Sequence, residues 1–140
     1  MREAGGMDDP VFDLAAFPVH LGLGAMVERL GRFTGTPEWY EAYGAAHEAD
    51  GAEGRLVSLH TFGEPWDSWE MHPLGEELVA CVAGRITLHQ ELPDGAVQTV
   101  ELGPGQAVVN PAGVWHTADV DADATIVFVT AGAGTEVRPR

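Results

Sequence analysis

The chain has 140 residues, 45% of them hydrophobic, with 22 carboxylates against 7 basic side chains and a formal net charge of −15. That length suits one domain with its own core; the charge repels phosphate backbones and anionic lipid surfaces, and no apolar run approaches the ~20 residues of a membrane-crossing helix. Nucleic acid and membrane are therefore not expected as partners, and because the basic residues are all arginines, a lysine Schiff base is excluded.

Residues 1–17 are rich in Gly and acidic side chains and lack sustained periodicity, so a flexible N-terminal segment is expected there. The opening MREAGGMDDP carries neither the apolar run of a secretory signal nor an Arg-rich amphipathic pattern, which makes the cytoplasm the expected location. Residues 18–54 read as an extension of one short strand, in PVHLGLGAM, and one helix. Thr36 is placed to cap that helix, Pro37 fits its first position, and Glu38 and Glu41 favour the positive end of its dipole. Trp39, Tyr43 and Ala46 share a face at three- and four-residue spacing.

After Gly54 the period changes. RLVSLHTF, ELVACVA, RITLHQEL, AVQTVEL, QAVVN, VWHTADV and ATIVFVT are β-prone runs separated by turn chemistry such as LPDG, GPG and NPAG. About seven strands without an intervening helix predict an all-β unit over 55–138, an antiparallel sandwich or barrel.

Chemistry concentrates in two places. In WEMHPLGEELVACVAG, alternation puts Glu70 and His72 on one face, and puts Glu77, Val79 and Cys81 together on one face of the following strand. In GPGQAVVNPAGVWHTAD a β-turn at Asn110 to Gly113 leads into a strand carrying His116. Weaker candidates for contacts with a small ligand are His60, on one face of RLVSLHTF with Ser58, and His89, on one face of RITLHQEL with Thr87. Cys81, the lone cysteine, joins them as a small side chain on the face of Glu77. Trp69 and Trp115 fall on the faces opposite the polar residues, where sheet packing is expected.

The two segments have the forms E-x-H-x4-E-x6-G and G-x5-P-x-G-x2-H. On this spacing the sequence resembles the cupin superfamily, whose motifs are written G-x5-H-x-H-x3-4-E-x6-G and G-x5-P-x-G-x2-H-x3-N. His72, Glu77, Gly84, Gly105, Pro111, Gly113 and His116 match, and the resemblance covers about Arg55 to Thr130. Glu70 stands where the first motif has its first His, Val120 where the second ends in Asn, and Glu64 where the first opens on Gly. The resemblance implies a single small antiparallel β-barrel or jelly roll, RmlC-like, with the helical extension at its N-terminus. It further implies a divalent metal held by His72, Glu77 and His116, with Glu70 as a fourth ligand, and a homodimer.

Two imidazoles and carboxylates suit Fe, Mn or Zn. Glu70, off the metal, would be the candidate catalytic base. The expected function is a metal-dependent enzyme acting on a small organic substrate, of dioxygenase, isomerase, cyclase or lyase type. The alternatives are a non-catalytic binding or sensing module and metal-free acid/base chemistry.

Overall fold

A computed structural model describes residues 9–140, so residues 1–8 of the expected N-terminal segment lie outside the described residues. Among the described residues, eleven strands form two antiparallel sheets. The first sheet has the order β2-β1-β3-β10-β5-β8, built from β2 (Val27–Arg29), β1 (Val19–Leu21), β3 (Arg55–Phe62), β10 (Ala124–Thr130), β5 (Glu77–Ala83) and β8 (Ala107–Asn110). The second has the order β11-β4-β9-β6-β7, from β11 (Glu136–Pro139), β4 (Ser68–Met71), β9 (Trp115–Asp119), β6 (Ile86–Glu91) and β7 (Val97–Leu102).

Side-chain alternation explains why these runs become half-buried strands. In ATIVFVT, the residues Ala124, Ile126, Phe128 and Thr130 are buried and those between them are not; in ITLHQE, Ile86, Leu88 and Gln90 are buried. Val79, Cys81, Ile126 and Phe128 of the first sheet meet Ile86, Leu88, Leu102 and Ala118 of the second in one apolar core. Fully buried side chains such as Leu88 and Ile126 each contribute roughly 1.5–3 kcal/mol. Tight turns set the register. Gly84, between β5 and β6, has φ +75°, and a Cβ there would collide with the Asp123 carbonyl and the Ala124 backbone.

Within the extension, β1 joins the first sheet beside β3 and buries Val19, whereas the helix is held by polar and aromatic contacts rather than by a buried face. Helix α1 (Pro37–Ala46) is capped by the Thr36 hydroxyl, which accepts from the Trp39 N–H at 3.3 Å, and it contains no buried residue. It ends at Ala46, and a 3-10 helix, Glu48–Glu53, fills the remainder of the expected helical stretch. The buried His20 of β1 holds it in place, with its Nδ1 2.7 Å from the Tyr43 hydroxyl and its Nε2 2.6 Å from an Asp50 oxygen. Burial, with Asp50 and Glu28 nearby, pushes the Tyr43 phenol up to about 12, so Tyr43 stays a neutral donor.

Candidate metal centre

Strand β4 is central to its sheet, between β11 and β9, and Glu70 lies directly opposite His116 of β9. His72 follows β4, and the N–H of Gly113, a residue at φ +77°, donates to the His72 carbonyl at 2.9 Å. That bond fastens the turn preceding β9 to the segment carrying the other imidazole. Glu77 opens β5 in the facing sheet, so three segments and both sheets supply the site.

The side chains converge. His72 Nε2 is 3.3 Å from Glu77 Oε2, and His116 Nε2 is 3.2 Å from Glu77 Oε1. The two imidazole centroids are 5.1 Å apart. Glu70, His72 and His116 each present a ligand atom, and these atoms all lie within 4.8 Å of one another. His116 is fully buried, His72 and Glu77 are nearly so, and Glu70 is half-buried.

The hydrogen bonds on the far side of each imidazole decide its tautomer. The Thr135 hydroxyl donates to the Gly132 carbonyl at 2.7 Å, so at 2.8 Å it can only accept from His72 Nδ1–H. The Val114 carbonyl, 3.3 Å from His116 Nδ1, likewise only accepts. Both Nε2 atoms are buried and have no hydrogen-bond partner, since their approach to Glu77 is close without being aligned as a hydrogen bond. Two bare nitrogen lone pairs facing a carboxylate repel it, unless a proton or a metal ion lies between them.

The electrostatics agree. Burial works to raise the Glu77 carboxyl, but the two imidazoles outweigh it and hold the group well below the usual carboxylate range. Burial works to lower His116, and the Glu77 and Glu70 carboxylates reverse this and raise it. Glu70 is raised, first by burial and then by the Glu77 charge, with the imidazoles opposing. One carboxylate is thus firmly ionised, and the other takes a proton more readily than a free glutamate.

The donor set fits a divalent ion. With metal–ligand distances near 2.1 Å, neighbouring ligands in tetrahedral or octahedral geometry lie about 3.0–3.4 Å apart. The two Glu77–imidazole separations, 3.3 and 3.2 Å, fall in that range and run to different oxygens of the carboxylate, while the ligand atoms of Glu70, His72 and His116 lie within 4.8 Å of one another. Imidazole and carboxylate ligands suit Zn, Fe or Mn better than soft-ligand metals.

Of the seven site residues expected from sequence, the structure brings four together: Glu70, His72, Glu77 and His116. His60 is on the inner face of β3, packed against Phe33, Phe62 and Phe128 with ring centroids 4.9 to 6.1 Å away, and burial lowers its pKa. His89 is placed elsewhere. Ile86, Leu88 and Gln90 occupy the inner face of β6, so His89 points outward, to the Thr99 hydroxyl at 3.0 Å and an Asp119 oxygen at 2.7 Å. Cys81 shares the inner face of Glu77 but lies four residues further along β5, about 13 Å at 3.3 Å per residue. It is buried in the apolar core, near the Ala83 and Gly84 carbonyls.

Four residues of the surroundings had no such signal in the sequence. Thr135 orients His72, Thr130 donates to Glu77 Oε2 at 2.6 Å, Asn110 donates to Glu77 Oε1 at 3.0 Å, and Gln90 donates to Asn110. Buried polar side chains at alternating inward positions, Gln90 in ITLHQE and Thr130 in ATIVFVT, are the nearest thing to a signal. Trp66 also faces the interior, its ring 6.4 Å from that of His116.

No family model matches the sequence, and no curated protein matches it either. Solved structures do. Oxalate decarboxylase superposes with a TM-score of 0.52 at 15% identity, over 69% of this chain and 26% of that one. A cupin superfamily protein from Desulfitobacterium hafniense matches with a TM-score of 0.46 at 18% identity, over 54% of this chain and 65% of its own. A hydroquinone 1,2-dioxygenase in complex with Cd2+ and 4-hydroxybenzonitrile matches with a TM-score of 0.48 at 17% identity, over 54% and 56%. The matched part is thus less than two thirds of each of these chains. At such identities the likeness speaks to architecture alone: two facing antiparallel sheets, a cupin-type β-sandwich or jelly-roll fold.

Proposed function

We propose that this protein is a metal-dependent enzyme acting on a small organic molecule, with its site between the two sheets. The observation that carries this reading is the convergence of two buried Nε2 atoms on one ionised carboxylate, with the Nδ1 of each ring engaged on its far side by Thr135 or by the Val114 carbonyl. His72 and His116 would hold the ion through Nε2, with Glu77 and Glu70 supplying oxygen. Together the two carboxylates would balance a divalent charge, which suits Fe, Mn or Zn.

When bound, the ion supplies Lewis acidity toward a substrate oxygen and lowers the pKa of coordinated water. The remaining chemistry belongs to the chain. Glu77 is fixed at both oxygens by Asn110 and Thr130 and keeps its charge. Glu70 either completes the ligand shell or, off the ion, is the base: burial and the Glu77 charge then raise its pKa, and it would take up and return a proton at its carboxylate oxygen. The burial of the imidazoles excludes bulk water. Dioxygenation, isomerisation, cyclisation and elimination all remain open to this arrangement, because fold does not select among them.

A second reading, a binding or sensing module, is favoured by one observation. Two open depressions among the described residues, of about 490 and 270 Å³, are lined by residues of the N-terminal extension such as His20, Glu28, Arg29 and His47. Metal analysis of freshly purified, untagged protein decides the first point. We expect about one divalent ion per chain, lost in His116→Ala; absence of metal after aerobic and anaerobic reconstitution with Fe, Mn and Zn would overturn it. Saturable ligand binding without turnover in a substrate screen would favour the module.

A further inference from the structure

Behind Glu77 lies a chain of side-chain amides. Gln98 Nε2 donates to Gln90 Oε1 at 3.0 Å, Gln90 Nε2 donates to Asn110 Oδ1 at 2.7 Å, and Asn110 Nδ2 donates to Glu77 Oε1 at 3.0 Å. Gln90 is 2% exposed and Asn110 1%, values that neutral amides reach only when their hydrogen bonds are made. The direction of the chain is forced. Gln90 also touches the Val109 carbonyl at 3.0 Å, which only accepts, so the contacting atom of Gln90 is its NH2 group. Asn110 must then meet Gln90 with oxygen, which turns the Asn110 NH2 toward Glu77. One backbone carbonyl thereby fixes two amide orientations, and the amide dipoles run head to tail with their positive end on the carboxylate.

The other Glu77 oxygen takes the Thr130 hydroxyl at 2.6 Å. With one donor on each oxygen from behind, the carboxylate cannot rotate, and each oxygen keeps one imidazole in front of it. Glu70, the second carboxylate, has no such support.

Resting on the metal-centre reading above, we infer that Gln90 and Asn110 are positioning residues of the site: the amide chain they form holds Glu77 in the one orientation that presents an oxygen to each imidazole. Gln90 lies opposite His116 across β6 and β9, and its amide reaches Glu77 only through Asn110. Without Gln90 the buried Asn110 oxygen loses its donor, so the Asn110 amide is no longer anchored from behind and Glu77 Oε1 loses the fixed position of its NH2 partner.

The test uses Gln90→Leu, close in volume and unable to donate, with Asn110→Ala as the second variant. Circular dichroism and thermal melts first establish that each variant is folded. Co2+ is then titrated into the apo protein and followed by calorimetry and by its visible absorption bands. In folded variants we expect Co2+ affinity about 10- to 100-fold weaker and shifted absorption bands, whereas a merely structural role would lower the melting temperature and leave both unchanged. Unchanged affinity and spectrum in a folded Gln90→Leu protein, with wild type binding normally, would overturn the inference alone. Wild type that binds no Co2+ would instead overturn the metal reading. In that event the side-chain 15N shifts of His72, which is remote from Gln90 in the strand order, still decide in the metal-free protein: a change in Gln90→Leu supports the positioning role, and an identical His72 shift refutes it.

Discussion

Asp119 shows how a single outer-face residue ties the end of the described chain to the sheet. Its carboxylate accepts from Arg140 Nη2 at 2.8 Å and contacts His89 Nε2 at 2.7 Å. The Arg140 hydrogen bond is the largest influence; burial opposes it, and the His89 hydrogen bond with the charges of both partners leaves the pKa at about 2. A folded-state pKa below the unfolded value of about 3.9 contributes stability that is complete above that value and is lost as the pH falls toward 2. The group is a third exposed, so the contribution is modest and salt-sensitive. Denaturant unfolding of wild type and Asp119→Asn should therefore differ at pH 6 and converge near pH 2. A difference that stays constant across that range would remove the ion pair from the account. The same scale explains why the candidate site was only partly legible. Glu70, His72, Glu77 and His116 are chemically distinctive and regularly spaced, whereas Thr130, Thr135, Asn110 and Gln90 are common residue types whose role appears only once distant strands meet.

Among the elements, β3, β5 and β10 run over the residues their alternation predicts, Arg55–Phe62, Glu77–Ala83 and Ala124–Thr130. Strands that alternate between core and solvent carry their boundaries in the pattern itself. Strands β2, β4 and β11 are short, polar or mixed, VER, SWEM and EVRP, and owe their conformation to their neighbours. Alternation also says which residues share a face without saying which face is inside, which is why Thr87 and His89 could be grouped correctly and still point outward. Gly84 gives the clearest prediction at this scale. Gly84→Ala forces a side chain into the Asp123 and Ala124 backbone at a positive φ, and should cost about 2 kcal/mol or more, read as a fall in melting temperature. A change within about 0.5 kcal/mol, the range of ordinary surface substitutions, would mean that the turn re-forms with a different geometry.

On the scale of the whole molecule, both sheets have open edges among the described residues, and each edge strand bears an exposed valine: Val27 on β2, Val109 on β8, Val97 on β7 and Val137 on β11. Exposed edges invite pairing with another chain. We propose a homodimer formed along one of these edges, to be checked by light scattering across a concentration series. A monomer at all concentrations would refute it, and in a dimer the valine-to-lysine variant at the edge in use should dissociate it. The net charge of −15 opposes association at long range, so the dimer should tighten with added salt.

Strand β11 lies against the outer edge of β4, with Val137 opposite Glu70. Arg138 reaches over the Trp69 and Trp115 rings at 5.2 and 4.5 Å, and Thr135, just before the strand, orients His72. Of the side chains gathered around the imidazoles, Thr135 is therefore the last to be translated. At roughly 5–20 residues per second, Thr135 follows the glutamate and histidine of β4 and its flank after roughly 3 to 13 s. A nascent chain thus carries both histidines before it carries the hydroxyl that fixes one of them, and on the ribosome the centre is finished only when β11 arrives.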